Sequence, residues 1–194
     1  MKRGGGKSKG SQFERDICIL LSKWWTGGER DDIFWRSTIS GGRATQRAKS
    51  GKKTNGQYGD VQATDPLGKP LIDLLSVEIK RGYRDASIAD LLDLGGKKKT
   101  IWHDWIRQAL HEMDLAGAWA YLLIVKRDFR ETIVLMPKEV WRKVGDLDEA
   151  RPGALLRVWI RGVEKDLYVT TLDEFLRCVS PSHVKQRLQE WKED

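Results

Sequence analysis

The sequence predicts an α/β domain with elements in the order α, β, β, β, α, β, β, followed by a C-terminal α+β extension. Three observations predict it. The chain has 194 residues, 40% hydrophobic and 32% charged, with a mean hydropathy of -0.54. That is the bulk of one globular domain, able to bury a core without disulfides or a structural metal. Its apolar spacing switches between the 3.6 period of helices and the 2.0 period of strands. Finally, no apolar run approaches the about 20 residues that a membrane-spanning helix needs, and the N-terminus lacks the apolar stretch of a secretory signal.

Residues 1 to 10 have nothing apolar after Met1 and are expected to be a disordered basic tail. Ser11 with Glu14 three positions on reads as a capping box. Phe13, Ile17, Leu20, Leu21 and Trp24 then follow one helical stripe, which Gly27 and Gly28 end. Phe34 to Thr38 reads as a short strand, and residues 39 to 58 as a basic flexible loop, longer than usual connections. Asp60 to Thr64 and Leu74 to Lys80 read as a hairpin turning over Asp65, Pro66, Leu67 and Gly68. A helix from Ile101 to Leu115 buries Trp102, Trp105, Ile106, Ala109, Leu110 and Met113. Strands at Trp119 to Val125 and Thr132 to Met136 complete a core spanning 11 to 137. Residues 138 to 194 read as an extension packed on that core. It holds a short helix, strands at Leu155 to Ile160 and Leu167 to Thr170, and helical turns at Leu172 to Val179 and Ser182 to Trp191.

The net charge of +7 is unevenly spread. Residues 1 to 59 hold 13 Lys/Arg against 5 Asp/Glu, whereas residues 60 to 194 hold 22 against 23. No acidic residue stands between Ile33 and Gly59, where Arg36, Arg43, Arg47, Lys49, Lys52 and Lys53 lie. Clustered cations on a mobile segment bind polyanions by releasing counterions from phosphates, so the expected partner is nucleic acid; the alternative is a solvated basic loop. Cys18 and Cys178 form no framework spacing, which suits a reducing cytoplasm. The nine tryptophans are read mostly as packing. His103, Arg107 and His111 share a helical face, read as solvated because the histidines are too far apart for close metal ligation.

The chemistry sits in Asp60 and, after seventeen residues, Glu78-Ile79-Lys80. Side chains alternate along a strand, so Ser76, Glu78 and Lys80 share one face while Leu75, Val77 and Ile79 share the other. Carboxylates on adjacent strands can converge on a hard divalent cation, which takes oxygen ligands. A lysine two residues on places an ammonium beside the nucleophile and offsets negative charge in a phosphoryl transition state. The alternative is a charged pair on an edge strand.

Several signals in order make the chain similar to the PD-(D/E)XK nucleases. These are Gly10-Ser11 with Glu14-Arg15, Trp35-Arg36-Ser37 before a Gly-rich segment, Gly59-Asp60, Val77-Glu78-Ile79-Lys80, Gln108, Gly117-Ala118, and Leu123 to Lys126. Within that superfamily the chain resembles the archaeal-type Holliday junction resolvases over roughly residues 10 to 127. Gly59 replaces the usual proline, residues 41 to 58 form a long insertion, and the region past Met136 has no counterpart in the minimal resolvase.

The resemblance implies a restriction-endonuclease-like core, a central mixed sheet flanked by helices (αβββαβ). It implies a metal-dependent endonuclease selective for DNA structure, hydrolysing phosphodiester bonds in four-way junctions as a homodimer, in a prokaryotic cell or a virus-infected prokaryotic host. Asp60, Glu78, the Ile79 carbonyl and Glu14 would hold Mg2+, with Mn2+ able to substitute. Lys80 would serve the attacking water, and Ser37 would sit near the scissile phosphate. Arg36, Arg81, Gln108 and the basic loop would contact DNA. Two alternatives stand beside this: a nuclease for flap, single-stranded or duplex DNA in restriction or repair, and a DNA-binding module with a lapsed site.

Overall fold

The computed structural model describes residues 5–37, 58–92, 99–145, 153–160 and 165–194. Helix α1 (Gly5–Trp25) leads to strands β1 (Phe34–Arg36) and β2 (Val61–Ala63), a 3-10 turn at Pro66–Gly68, helix α2 (Lys69–Leu74) and strand β3 (Leu75–Arg81). After a second 3-10 turn at Ile88–Leu91 come α3 (Ile101–Ala116), β4 (Ala120–Lys126) and β5 (Thr132–Pro137). Helix α4 (Lys138–Val144), strands β6 (Leu156–Ile160) and β7 (Lys165–Thr171), and helices α5 (Leu172–Cys178) and α6 (Pro181–Glu193) complete the order.

The main sheet has five strands in the order β3-β4-β5-β7-β6. β3 and β4 run parallel and the other neighbours antiparallel, giving the expected mixed sheet. Parallel neighbours need a crossover, and α3 lies in the connection between them. Both faces of the sheet are covered, so β4 is apolar and buried from Ala120 through Val125. On one face Ile17, Cys18 and Leu21 of α1, Leu71 and Leu74 of α2, Trp141 of α4 and Phe175 of α5 meet Val77, Leu122 and Val134. On the other, Trp102, Trp105, Ile106 and Ala109 of α3 meet Tyr121, Leu123, Val125 and Leu135. Full burial of one such large side chain contributes about 1.5–3 kcal/mol, so these two seams fix both layers of helices on the sheet. β6 and β7, beyond residue 137, are hydrogen-bonded members of this sheet. Among the described residues no helix is long and apolar enough to cross a membrane.

Five expectations need correction. Residues 5 to 10, expected in a disordered tail, are the first turns of α1. The capping box that would have started the helix at Ser11 does not form, because Ser11 lies inside α1 and not at its start; the Glu14 carboxylate accepts from Arg36 instead. The expected hairpin is also absent. After the turn capped by Asp65, Leu71 and Leu74 bury one side of the six-residue α2, which carries the chain away from β2 before β3 begins. β2 pairs antiparallel with β1 instead, Arg36 opposite Val61 and Phe34 opposite Ala63. β1 ends at Arg36, short of the expected Thr38, which lies outside the described residues. His103, read as solvated, is 7% exposed, and its Nδ1 accepts the Thr100 amide at the start of α3 at 3.1 Å.

Candidate active site

β3 is an edge strand of the main sheet, and its free edge is where the site forms. The Asp60 amide donates to the Val77 carbonyl at 2.7 Å, and Asp60 Oδ2 accepts the Ile79 amide at 2.7 Å. Asp60 thus closes the ladder that an edge strand leaves open, and its carboxylate is fixed by backbone. The approach depends on Gly59, whose φ of +75° is left-handed and where a Cβ would stand 2.8 Å from the Val77 carbonyl oxygen. Proline is locked near -65° and could not take that conformation, which glycine adopts without strain.

Glu78 and Lys80 share a face of β3, as strand alternation requires, and pair at 2.6 Å between Lys80 Nζ and Glu78 Oε1. Gln108, one position before the buried Ala109 of α3, bridges both: its Nε2 donates to Glu78 Oε1 at 2.7 Å and its Oε1 accepts from Lys80 Nζ at 3.0 Å. Glu14 comes from α1 and pairs with Arg36 at 2.8 Å. Asp60, Glu78, Ile79, Lys80, Glu14, Arg81 and Gln108 all line one open cavity of about 280 Å³.

The cavity is rich in carboxylates that have lost water. Glu78 is 2% exposed and Asp60 8%. Burial and the Glu78 charge push the Asp60 pKa far above the ordinary carboxylate range, against the Ile79 amide and Lys80, which pull it down. Burial, Glu112 and Glu14 likewise raise Glu78, with Lys80 opposing. Glu14, Asp60, Glu78 and Glu112 outnumber Lys80 and Arg81 on the lining, an excess of negative charge that a hard divalent cation relieves. Among the described residues no three acidic, histidine or cysteine side chains form a ready ligand cluster. The carboxylates are engaged by Ile79, Lys80, Gln108 and Arg36, but each keeps its second oxygen out of these bonds. In donor chemistry the all-oxygen set fits a hard divalent cation.

Other expected site residues lie near the cavity or beyond view. Arg36 pairs with Glu14, a lining residue, and does not itself line the cavity. Ser37 donates its amide to the Asp60 carbonyl at 2.8 Å, while its buried hydroxyl has no partner among the described residues. Arg81 pairs with Asp128 at 2.5 Å and lies over the Phe13 ring. Arg43, Arg47, Lys49, Lys52 and Lys53 fall outside the described residues. Sequence reasoning missed Glu112 and Tyr83, both of which line the cavity. Glu112, 8% exposed, accepts the Gly59 amide at 3.4 Å, and its signal was its place one helical turn after Gln108.

A family model described as "phage putative PDDEXK endonuclease" matches residues 5–186. No curated protein and no solved structure matches the chain. The match runs from α1 through the carboxylates at the β3 edge and the β6-β7 hairpin into α6, so the restriction-endonuclease-like architecture and the family assignment cover the same residues. The chain belongs to this phage family of PD-(D/E)XK endonucleases, nucleases of a superfamily that generally works with divalent metal ions.

Proposed function

We propose that the chain is a metal-dependent DNA endonuclease selective for DNA structure, which hydrolyses phosphodiester bonds in four-way junctions as a homodimer. The observation that carries the reading is the convergence of Asp60, Glu78 and Lys80 on one open polar cavity. Asp60, Glu78, the Ile79 carbonyl and Glu14 would hold Mg2+ or Mn2+. The chemistry such an ion supplies when bound is neutralisation of phosphoryl charge and a more acidic water.

The chain's own groups supply the rest. Lys80 is held between Glu78 and Gln108, so its ammonium points into the cavity without freedom to wander. There it orients the attacking water and stabilises charge that develops on the phosphoryl oxygens. Asp60 is fixed by two contacts with β3 backbone and does not have to be ordered when substrate arrives. Arg36, Arg81 and the basic loop Arg43, Arg47, Lys49, Lys52 and Lys53 would neutralise DNA phosphates. Ser37 would stand near the scissile phosphate.

Junction selectivity would come from symmetry, because two sites related by a twofold axis can nick two equivalent strands. The deciding assay incubates the purified protein and Mg2+ with labelled junction, flap, duplex and single-stranded DNA, while solution mass is measured with and without DNA. Paired nicks at symmetric junction positions by a dimer are expected. A monomer, or equal cutting of linear duplex and junction, sinks the resolvase reading and leaves the nuclease for flap, single-stranded or duplex DNA. No cutting at all leaves the lapsed DNA-binding module.

A further inference from the structure

At the rim of the cavity, two residues past the end of the Glu78-Ile79-Lys80 motif, the chain takes an unusual path. Gly82 has φ +101° and Tyr83 has φ +57°, so a bulky aromatic residue occupies the left-handed region. L side chains adopt that conformation rarely; among the described residues Tyr83 and Phe129 do so, and of the two only Tyr83 lines the cavity. Enforcement is visible here: the Gly82 amide donates to the Lys126 carbonyl at 3.1 Å, and the Tyr83 carbonyl accepts the Ala86 amide at 3.0 Å.

The conformation sets the Tyr83 ring edge-on to Trp105, at 4.7 Å between centroids and 71°. Trp105 meets Trp102 the same way at 4.9 Å and 75°. Trp102 is fully buried and its Nε1 donates to the Ser87 carbonyl at 2.6 Å, which anchors the row in the core. Three rings therefore run from the interior to the cavity rim. The inner two are 0% and 4% exposed, but Tyr83 is 48% exposed. A tyrosine present only for packing would be drawn into the core; this one is held out of it. Beside it stands Arg84, exposed and without an ion pair among the described residues.

We infer that Tyr83 is a stacking platform for an unpaired nucleotide bordering the scissile phosphate, and that the enzyme's substrates are DNAs with a splayed base at the point of cleavage. The inference rests on the proposed nuclease reading of the cavity and adds the feature of DNA that the site selects. Tyr83 and Lys80 line the same cavity, so a phosphate held at Lys80 brings its neighbouring sugar and base to the rim. Aromatic rings bind bases through their faces, with little regard to sequence. In intact duplex both faces of a base are already covered by its neighbours. Only a base that has left the stack, as at a gap or flap or at the exchange point of a junction opened on binding, can cover the ring. Arg84 supplies a cation for the next phosphate along the strand. Tyr83 is thus a specificity residue and takes no part in hydrolysis.

The test uses the full chain with calcium in place of magnesium, a four-way junction, and a fully paired duplex of the same sequence. Tyr83→Phe keeps the ring, and Tyr83→Leu keeps the apolar bulk against Trp105 and the same backbone demand without a π face. Tyr83→Asn removes the ring with a residue that tolerates left-handed φ. The leucine and asparagine variants should lose roughly 5- to 150-fold in junction affinity, the equilibrium equivalent of one stacked base, and less than about twofold on duplex. The phenylalanine variant should match the parent on both. In the parent, 5-iodouridine placed beside the cleaved phosphate should photo-crosslink to Tyr83. If Tyr83→Asn fails to fold, the leucine and phenylalanine pair decides. Leucine and phenylalanine variants with equal junction affinity, or equal losses on duplex and junction, overturn the inference. A parent protein that cuts no DNA with Mg2+ overturns the nuclease reading instead, and is seen in a separate reaction.

Discussion

The three-residue strand β2 has an aspartate near each end, and the two live in opposite worlds. Asp60, just before it, is buried against the edge of β3, and its ionisation is opposed by desolvation and by Glu78. Asp65, two residues after it, sits at the surface. There it accepts the Leu67 amide at 2.9 Å and pairs with Arg30 at 2.7 Å, and the amide first and the guanidinium second lower its pKa. Asp65 is an aspartate in the place an aspartate favours. Asp60 is held where its charge is costly, which proteins tolerate chiefly at sites that use the charge.

The largest test of that contrast is on chemistry. Asp60→Asn keeps the shape and the acceptor for the Ile79 amide but removes the charge, while Glu78→Ala and Lys80→Ala remove partners at the cavity. Cleavage with Mg2+ should fall by orders of magnitude in all three, with DNA affinity largely kept. Because Asp60→Asn also relieves buried like-charge repulsion, its melting temperature should match or exceed the parent's. Glu78→Ala cutting at near parental rate after repurification would refute the site.

Next comes Gln108, which holds Glu78 and Lys80 together without belonging to the acidic motif. Gln108→Leu should lower turnover roughly 10- to 100-fold, the usual cost of losing a group that orients others in a metal site. Binding in calcium measures the affinity side of the same change. A leucine variant with parental turnover would make Gln108 a bystander.

These residues also mark how far the sequence could be read. Asp60, Glu78 and Lys80 were legible because strand alternation alone puts the last two on one face, and that face survives in the fold. The route by which Asp60 joins them was not. A hairpin was the economical reading of Asp65-Pro66-Leu67-Gly68, but Leu71 and Leu74, three apart, already carried the helical signal of α2. That stretch is six residues long, too short for periodicity to announce itself. Glu112 and Tyr83 were hidden for different reasons. The first is one charged residue in a helix with several, and the second depends on a backbone conformation that no side-chain pattern encodes.

A smaller effect is expected at Gly59, the joint that lets Asp60 reach β3. Gly59→Ala adds a Cβ 2.8 Å from the Val77 carbonyl in a left-handed conformation, so the segment must lift off the strand. The loss in urea unfolding free energy should be about 1–3 kcal/mol, typical of strain at a special φ. Activity should fall with it, because the Asp60 carboxylate loses its fixed distance from Ile79. An alanine variant as stable and active as the parent would show that the close approach is not required.

The smallest effect belongs to Asp65, and it is one of pH. A carboxylate whose pKa is lowered by folding contributes stability that is present above its unfolded pKa and lost as pH falls through its folded value. Asp65 has that sign, with the Leu67 amide and Arg30 as causes, and Asp32, paired with Arg30 at 2.8 Å, has it too. Asp32 is exposed and Asp65 only half-buried, and solvent screens their pairs, so the contribution is modest. Urea midpoints measured between about pH 2 and 7 should therefore show a shallower acid limb for Asp65→Asn than for the parent, converging at low pH where the parent's carboxylate is also neutral. Raising salt should shrink the difference in proportion to the Arg30 share, but leave the part due to the Leu67 amide, a contact between adjacent groups. If the two acid limbs superimpose, Asp65 contributes no net stability as an anion, and the contrast between the two ends of β2 reduces to burial alone.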